Sequence, residues 1–237
     1  AYAFDTMPQE KGTGPAPVEP GLAQYLGSHW TRYLTTLHHV VDCAPRDILD
    51  VGVFPPLAFE AMVVNALKDV KMSGIWEGPH PYAQSVKSLN PAYPDFDIEL
   101  RPANIERDVM PYGDAEFDMV LGMEIFEHLA LDPHFFLSQA ARVLRPGGRL
   151  LVLEFSQPFL LLRPFYFLYL RAALPALAWL ITRDRKAYQY LGSSIHGFPD
   201  RRGLTKEFLE AGFAKVEVAS LTGAIVAIHS AEKSASD

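Results

Sequence analysis

The run Asp47-Ile48-Leu49-Asp50-Val51-Gly52 decides the fold. It is a short apolar stretch that ends near an acid and a glycine, and Pro45 stops the helix before it. Pro55-Pro56 then presets φ for a first helical turn, and Leu57 to Leu67 continues as helix. Upstream, Leu26, Trp30, Tyr33, Leu34, Leu37, Val40 and Val41 recur in steps of three and four. That spacing predicts an amphipathic helix over 22–41, with Trp30 and Tyr33 in the core. Downstream, Met72 to Trp76, Phe96 to Leu100, Phe117 to Leu121 and Arg149 to Phe155 read as strands, and a proline-rich loop follows Glu77. Asp132-Pro133 opens a helix that Arg145-Pro146-Gly147-Gly148 stops. Thr205 caps another that ends at Gly212. Val216 to Ser220 and Ala224 to Ser230 close the chain as a hairpin through Leu221-Thr222-Gly223. Strands alternating with helices predict an α/β fold: a seven-stranded, mostly parallel sheet, helices on both faces, and an antiparallel C-terminal hairpin.

The composition agrees with one globular domain over 22–237, since 49% of the 237 residues are apolar and 21% charged. Residues 1–21, rich in proline and glycine, read as a flexible tail without the apolar core of a signal peptide. The net charge of −7 argues against nucleic acid as a partner. A lone cysteine, Cys43, makes no internal disulfide, so a cytoplasmic setting is expected. Pro158 to Ile181 has the length of a membrane helix, but Arg163, Pro164, Arg171 and Pro175 interrupt it. It reads as a pocket wall or a surface-docking element.

Ligands of parallel sheets bind at the carboxyl ends of the strands. Acids recur there: Asp50 after the first strand, Glu77 after the second, Glu106 beyond the third. A strand-end acid accepts paired O–H or N–H donors, as a ribose diol or an α-amino group offers, so a nucleoside-like ligand is expected. The first loop, Gly52-Val53-Phe54-Pro55-Pro56, lacks the glycines and amides that cradle phosphate. That disfavours NAD and leaves S-adenosyl-L-methionine, which carries no phosphate.

Four runs together resemble class I S-adenosylmethionine-dependent methyltransferases: 104–112, Asp118-Met119-Val120, Phe126-Glu127-His128-Leu129, and 142–148. The resemblance implies a Rossmann-like sheet, with Asp50 and Gly52 near the methionine tail and Glu77 on the ribose. It also places Asn104, Ile105 and Glu106 near the adenine, with Gly122 among the cofactor contacts. Phe54 replaces the second glycine usual in that family's first loop.

A narrower resemblance, to the UbiE/MenG quinone C-methyltransferases, rests on Leu153 to Pro158, Ala187 to Ile195, Phe198-Pro199, Ala211-Gly212-Phe213 and Leu221 to Ala224. It implies that 158–200 is a substrate-covering insertion, with Tyr188, Tyr190 and His196 toward the substrate. This chain has Glu127-His128 where that family has an arginine–asparagine pair. Glu124-Ile125-Phe126-Glu127-His128 is also similar to the E-x-x-E-H run of UbiG-like O-methyltransferases, which implies a divalent metal; no metal is assigned here.

The expected function is therefore methyl transfer from S-adenosyl-L-methionine to a lipophilic quinol-like or phenolic molecule, C-methylation favoured. His128 is the expected base, with Glu127 beside it, because ionising a ring hydroxyl of pKa about 10 pushes charge onto the ring carbon. O-methylation, and a non-catalytic partner subunit on a degenerate methyltransferase fold, stay open. Peripheral membrane contact through 158–181 and a homodimer are further expected or open associations.

Overall fold

Ile48 and Leu49 are both fully buried, one on each face of a sheet, which is why this run of sequence is continuously apolar. The computed structural model describes residues 2–3, 20–53, 57–88, 91–126, 129, 133–173 and 199–235. In chain order the elements are β1 (Tyr2–Ala3), α1 (Pro20–Cys43), β2 (Asp47–Val51), α2 (Ala58–Ala66), β3 (Lys71–Trp76), β4 (Tyr82–Ser88) and β5 (Phe96–Pro102). There follow β6 (Phe117–Met123), α3 (Pro133–Val143), β7 (Leu144–Phe155), α4 (Arg163–Leu168), α5 (Arg201–Glu210), β8 (Phe213–Leu221) and β9 (Val226–Lys233).

The strands form one sheet in the order β1-β4-β5-β3-β2-β6-β7-β9-β8. Its middle, β5-β3-β2-β6-β7, is parallel throughout. The hairpin β8–β9 adds antiparallel to β7, as the sequence predicts. Two separate cores result. Leu49, Val51, Val120, Leu150 and Val152 pack on one face with Phe136 of α3 and Phe208 of α5. Ile48, Met119, Leu121 and Leu151 pack on the other with Val40 of α1 and Val63 of α2. Helices therefore cover both faces, the expected α/β, Rossmann-like arrangement. Among the described residues, no helix is long and apolar enough to cross a membrane.

The sheet has nine strands rather than seven. The extra pair is β4, in the stretch read as a proline-rich loop, and the two residues of β1 on its edge. Among the residues of β4 whose burial is described, Gln84 and Val86 are buried, and one of the two is polar, so the strand gives little apolar signal. Pairing with β5, from Tyr82–Leu100 to Val86–Phe96, holds it in place.

Three local readings change. Trp30 is 51% exposed, because α1 turns Tyr33, Thr36, Leu37 and Val40 inward instead. Asp200, not Thr205, caps α5: its carboxylate accepts from the Gly203 amide at 2.9 Å, while the Thr205 hydroxyl donates to the Arg201 carbonyl inside the helix. The strand β7 begins at Leu144 rather than Arg149, with a register shift opposite Phe117 and Met119. At Gly148 a Cβ would meet the Arg145 carbonyl oxygen at 2.8 Å, so that close approach of backbone requires glycine.

Asp118 pins this end of the sheet. One oxygen accepts from the Arg46 and Asp47 amides at 2.9 and 3.0 Å, and the other from Arg145 at 2.6 Å. Burial raises its pKa, but the Arg145 and backbone hydrogen bonds outweigh that and hold it below the ordinary value.

Candidate functional site

The carboxyl ends of β2, β3, β5 and β6 open on a cleft of about 410 Å³, a volume that suits a small-molecule ligand. Strand direction alone brings Asp50, Gly52, Glu77, Asn104, Ile105 and Glu106 to its wall. Each of these was expected at a cofactor site, and the fold brings them together. Gly122 was expected with them but is not in the wall. It stands opposite Val51 in the register, and a Cβ there would meet Ile125 Cδ1 at 3.1 Å. Gly122 thus seats Ile125, which does line the cleft.

Gly52 turns the chain out of β2 at φ +82°, a conformation glycine adopts without strain, and a Cβ would meet Ile125 Cγ2 at 2.8 Å. Its amide and that of Val53 both donate to the Ile75 carbonyl at 3.0 Å. Those N–H groups are spent, so the described part of this loop offers no amide to a phosphate. Phe54, Pro55 and Pro56 lie outside the described residues.

On the far side, residues 103–108 form a self-bonded turn. The Asn104 amide donates to Asp108 at 2.8 Å, and the Glu106 amide donates to the Asn104 side-chain oxygen at 3.0 Å. This gives a preset ledge beside Trp76 and the exposed Glu77.

Sequence reasoning missed five polar contributors to this wall: three on α1, one on α2 and one just after β6. Arg32, Tyr33 and Thr36 of α1 close one side of the cleft, and Glu60 of α2 stands beside Asp50. Glu124, at φ +55° just after β6, pairs with Arg32 and appeared before only in the metal question. Glu60 too left a trace in the sequence, as a lone acid in the apolar run Ala58-Phe59-Glu60-Ala61-Met62-Val63-Val64. Asp50 and Glu60 are both buried, at 7% and 5% exposure. Burial, then the Glu60 charge and its hydrogen bond, raise the Asp50 pKa well above the usual carboxyl range. Burial raises Glu60 as well, against its own backbone amide and the Asp50 hydrogen bond. Burial thus raises both carboxyls, and a cation placed beside the pair would favour its ionised form.

Glu127, His128, Tyr188, Tyr190 and His196 lie outside the described residues. The flanks of the first two are described. Leu129 lines the cleft, and the Phe126 amide donates to the buried Glu154 carboxylate at 2.7 Å. No group of metal-ligating side chains occurs among the described residues, which do not include Glu127 or His128.

An acid-walled cleft on a parallel sheet, with spent loop amides and a closing antiparallel hairpin, agrees with a Rossmann-like S-adenosylmethionine-dependent methyltransferase, the class to which the family match assigns the chain. Residues 92–233 match the ubiE/COQ5 methyltransferase family, and the chain belongs to that family. A ubiquinone/menaquinone biosynthesis C-methyltransferase UbiE of Laribacter hongkongensis is 40% identical over 142 residues, covering 59% of this chain and 57% of that protein. A demethylmenaquinone methyltransferase of Mycobacterium sp. (strain KMS) is 38% identical over 153 residues, covering 59% of this chain and 64% of that protein. The chain thus spans less than two thirds of the length of these curated relatives. Human N-acetylserotonin methyltransferase, solved in complex with S-adenosylmethionine, shares the fold at a TM-score of 0.55 and 15% identity, over 90% of this chain and 54% of that one. Arg32, Asp50, Glu60 and Glu77 all precede the family match, which begins at residue 92.

Proposed function

We propose that this chain transfers a methyl group from S-adenosyl-L-methionine to a ring carbon of a lipophilic quinol. The observation that carries the reading is the cleft itself. Five acids, Asp50, Glu60, Glu77, Glu106 and Glu124, face it with one arginine, and its described loop amides are already bonded. That wall suits a phosphate-free cation and not a dinucleotide. Membership of the ubiE/COQ5 family supports a quinol as acceptor.

When bound, S-adenosylmethionine supplies an electrophilic methyl on a sulfonium, and the protein's task is alignment and exclusion of water. Glu77 accepts the two ribose hydroxyls. The turn at Asn104 to Glu106 flanks the base, and the Asp50–Glu60 pair meets the positive amino-acid end. His128, assisted by Glu127, takes the proton of the ring hydroxyl; after the ring carbon takes the methyl, the hydrogen on that carbon leaves as a proton to solvent, the ring regains aromaticity, and His128 returns its proton to the ring oxygen. Tyr188, Tyr190 and His196 hold the acceptor under the 158–200 cover.

Mass spectrometry of the product from a long-tailed demethylated quinol is expected to show one added methyl on a ring carbon. A methyl found on oxygen replaces this reading with O-methylation. Absence of calorimetric binding of either S-adenosylmethionine or its demethylated product replaces it with a partner subunit on a degenerate fold.

The acceptor's tail implies delivery from a membrane. Leu160 and Leu161 are 80% and 82% exposed, and Phe165 and Leu168 of α4 are 69% and 65% exposed. Contiguous apolar exposure of this kind marks an interaction surface, and Arg163 and Arg171 beside it suit anionic headgroups. Residues 174–181 of this segment lie outside the described residues. The wild type is expected to co-sediment with anionic liposomes. Phe165→Glu with Leu168→Glu, both at exposed positions, is expected to abolish that while leaving folding intact. Failure of the wild type to sediment removes the membrane from the proposal.

A further inference from the structure

We infer that Glu154, buried near the end of β7, is a positioning residue for the reaction. Its carboxyl holds the Phe126 amide and so sets where the chain carrying Glu127 and His128 leaves the sheet. The inference rests on the reading that His128 is the base, and it deepens that reading.

The setting of this acid comes first. Glu154 is fully buried, a lone acid in the apolar run Leu150-Leu151-Val152-Leu153-Glu154-Phe155. Strand alternation puts it on the face of Leu150 and Val152, in the core that holds Phe126, Phe136 and Phe208. Burying a carboxyl there is costly unless it is bonded, and an apolar side chain would fill the place without that cost. A residue that breaks the pattern of its own strand is expected where function requires it.

Its bond identifies the requirement. One carboxyl oxygen accepts from the Phe126 amide at 2.7 Å, the short end of the N–H···O range. The ladder between β6 and β7 extends as far as the Glu124 amide, which donates to the Leu153 carbonyl at 2.9 Å. Two residues on, the Phe126 amide bonds the Glu154 side chain, and the Phe126 carbonyl accepts from the Leu129 amide at 3.2 Å. The chain is thus held one residue before Glu127 and one residue after His128. A displacement of about 1 Å at a reacting group costs on the order of a hundredfold in rate, so loss of this tie should register chiefly in turnover.

The test uses the full chain and a long-tailed demethylated quinol, and measures kcat, KM and calorimetric cofactor affinity. Glu154→Gln keeps an oxygen for the Phe126 amide and is expected to turn over within about threefold of wild type. Glu154→Met keeps the volume without that acceptor and is expected to lower kcat at least about tenfold, with KM and cofactor affinity changing less than about threefold. In a His128→Gln background the same Met substitution is expected to add almost nothing, because both changes remove one function. A merely structural glutamate would lower melting temperature and cofactor affinity along with kcat, and its loss would add to that of His128→Gln. Unchanged kcat in folded Glu154→Met, Glu154→Gln as slow as Glu154→Met, or additive losses in the double variant overturn the inference and leave the base in place. Full turnover by His128→Gln overturns the base reading and this inference together. Hydrogen exchange at the Phe126 amide of wild type checks the bond even where Glu154→Met does not fold. Slow exchange is expected there, and exchange as fast as in an exposed loop overturns the inference.

Discussion

Asp50→Asn is expected to weaken S-adenosylmethionine binding at least about tenfold near pH 8, while making the ligand-free chain more resistant to heat. The two effects have one cause. Asp50 and Glu60 share a nearly dry site, and both carboxyls are held above their ordinary range, chiefly by burial. A carboxyl whose pKa is higher in the folded chain than in the unfolded one binds its proton more tightly when folded. The stability it contributes is fully present below the unfolded value, about 4 for a carboxyl, and is lost as pH rises through the raised folded values. The ligand-free protein should therefore melt at progressively lower temperature as pH rises out of the ordinary carboxyl range toward and past neutrality. Asn at position 50 removes one of the two charges and flattens that slope.

Binding follows the opposite slope. A cationic tail favours the ionised pair, so affinity should increase with pH over the same interval, and binding should release a proton. Arg32, Glu77, Glu106 and Glu124 face the same cleft. Calorimetry in buffers of different ionisation enthalpy measures the released proton directly. Unchanged affinity in Asp50→Asn, or a flat pH profile in wild type, would remove the pair from the binding site. Glu60→Gln should repeat the pattern, because the partner charge is lost from the other side.

What could be read from the sequence was whatever strand direction alone decides. Asp50, Gly52, Glu77 and Asn104 to Glu106 follow predicted strands, and in a parallel sheet every such residue arrives at the same edge. Residues that reach the cleft by helix docking left no comparable signal. Arg32 is 18 residues upstream of Asp50, and which side of α1 meets the sheet depends on packing. The periodicity of Trp30, Tyr33, Leu34, Leu37 and Val41 marks a stripe wider than the face that is buried, so Trp30 was placed inside and is outside. The strand β4 was missed for the opposite reason. Its composition is polar, and backbone pairing with β5 supplies what its side chains do not. At α5 two residues of capping type compete, and the one followed by the first helical turn, Asp200, wins by a bond to Gly203. Gly122 shows that even a strand-end glycine can serve a neighbouring side chain rather than the ligand.

The largest loss of stability is expected from Phe208→Ala, at about 3–5 kcal/mol, a large share of the roughly 5–15 kcal/mol that holds a domain folded. Phe208 is fully buried on α5. It stacks on His229 of β9 with ring centroids 5.8 Å apart, and meets Phe213 at 5.8 Å and Phe126 at 6.4 Å. Phe126 in turn meets Phe136 of α3 edge-on at 5.4 Å. One ring thus ties the C-terminal helix to the hairpin and to the loop that leaves β6. Removing it leaves a cavity that its ring-shaped neighbours cannot collapse to fill, which puts the cost at the upper end of the range. His229 would feel the change too. Burial holds its pKa down at about 4, and water in the cavity would return it toward its ordinary value. The functional consequence is local. Phe126 immediately precedes Glu127 and His128, and with Phe208 gone its place rests on Phe136 and the Glu154 bond to its amide. Cofactor affinity, which draws also on strand ends on the other side of β6, is expected to fall less than turnover at temperatures where the variant stays folded. Urea unfolding gives the first quantity and paired calorimetry and rate measurements the second. Phe208→Leu, which refills most of the volume, should recover most of both. A cost below about 1 kcal/mol, or cofactor affinity falling in step with turnover, would mean that this column of rings does not position the loop.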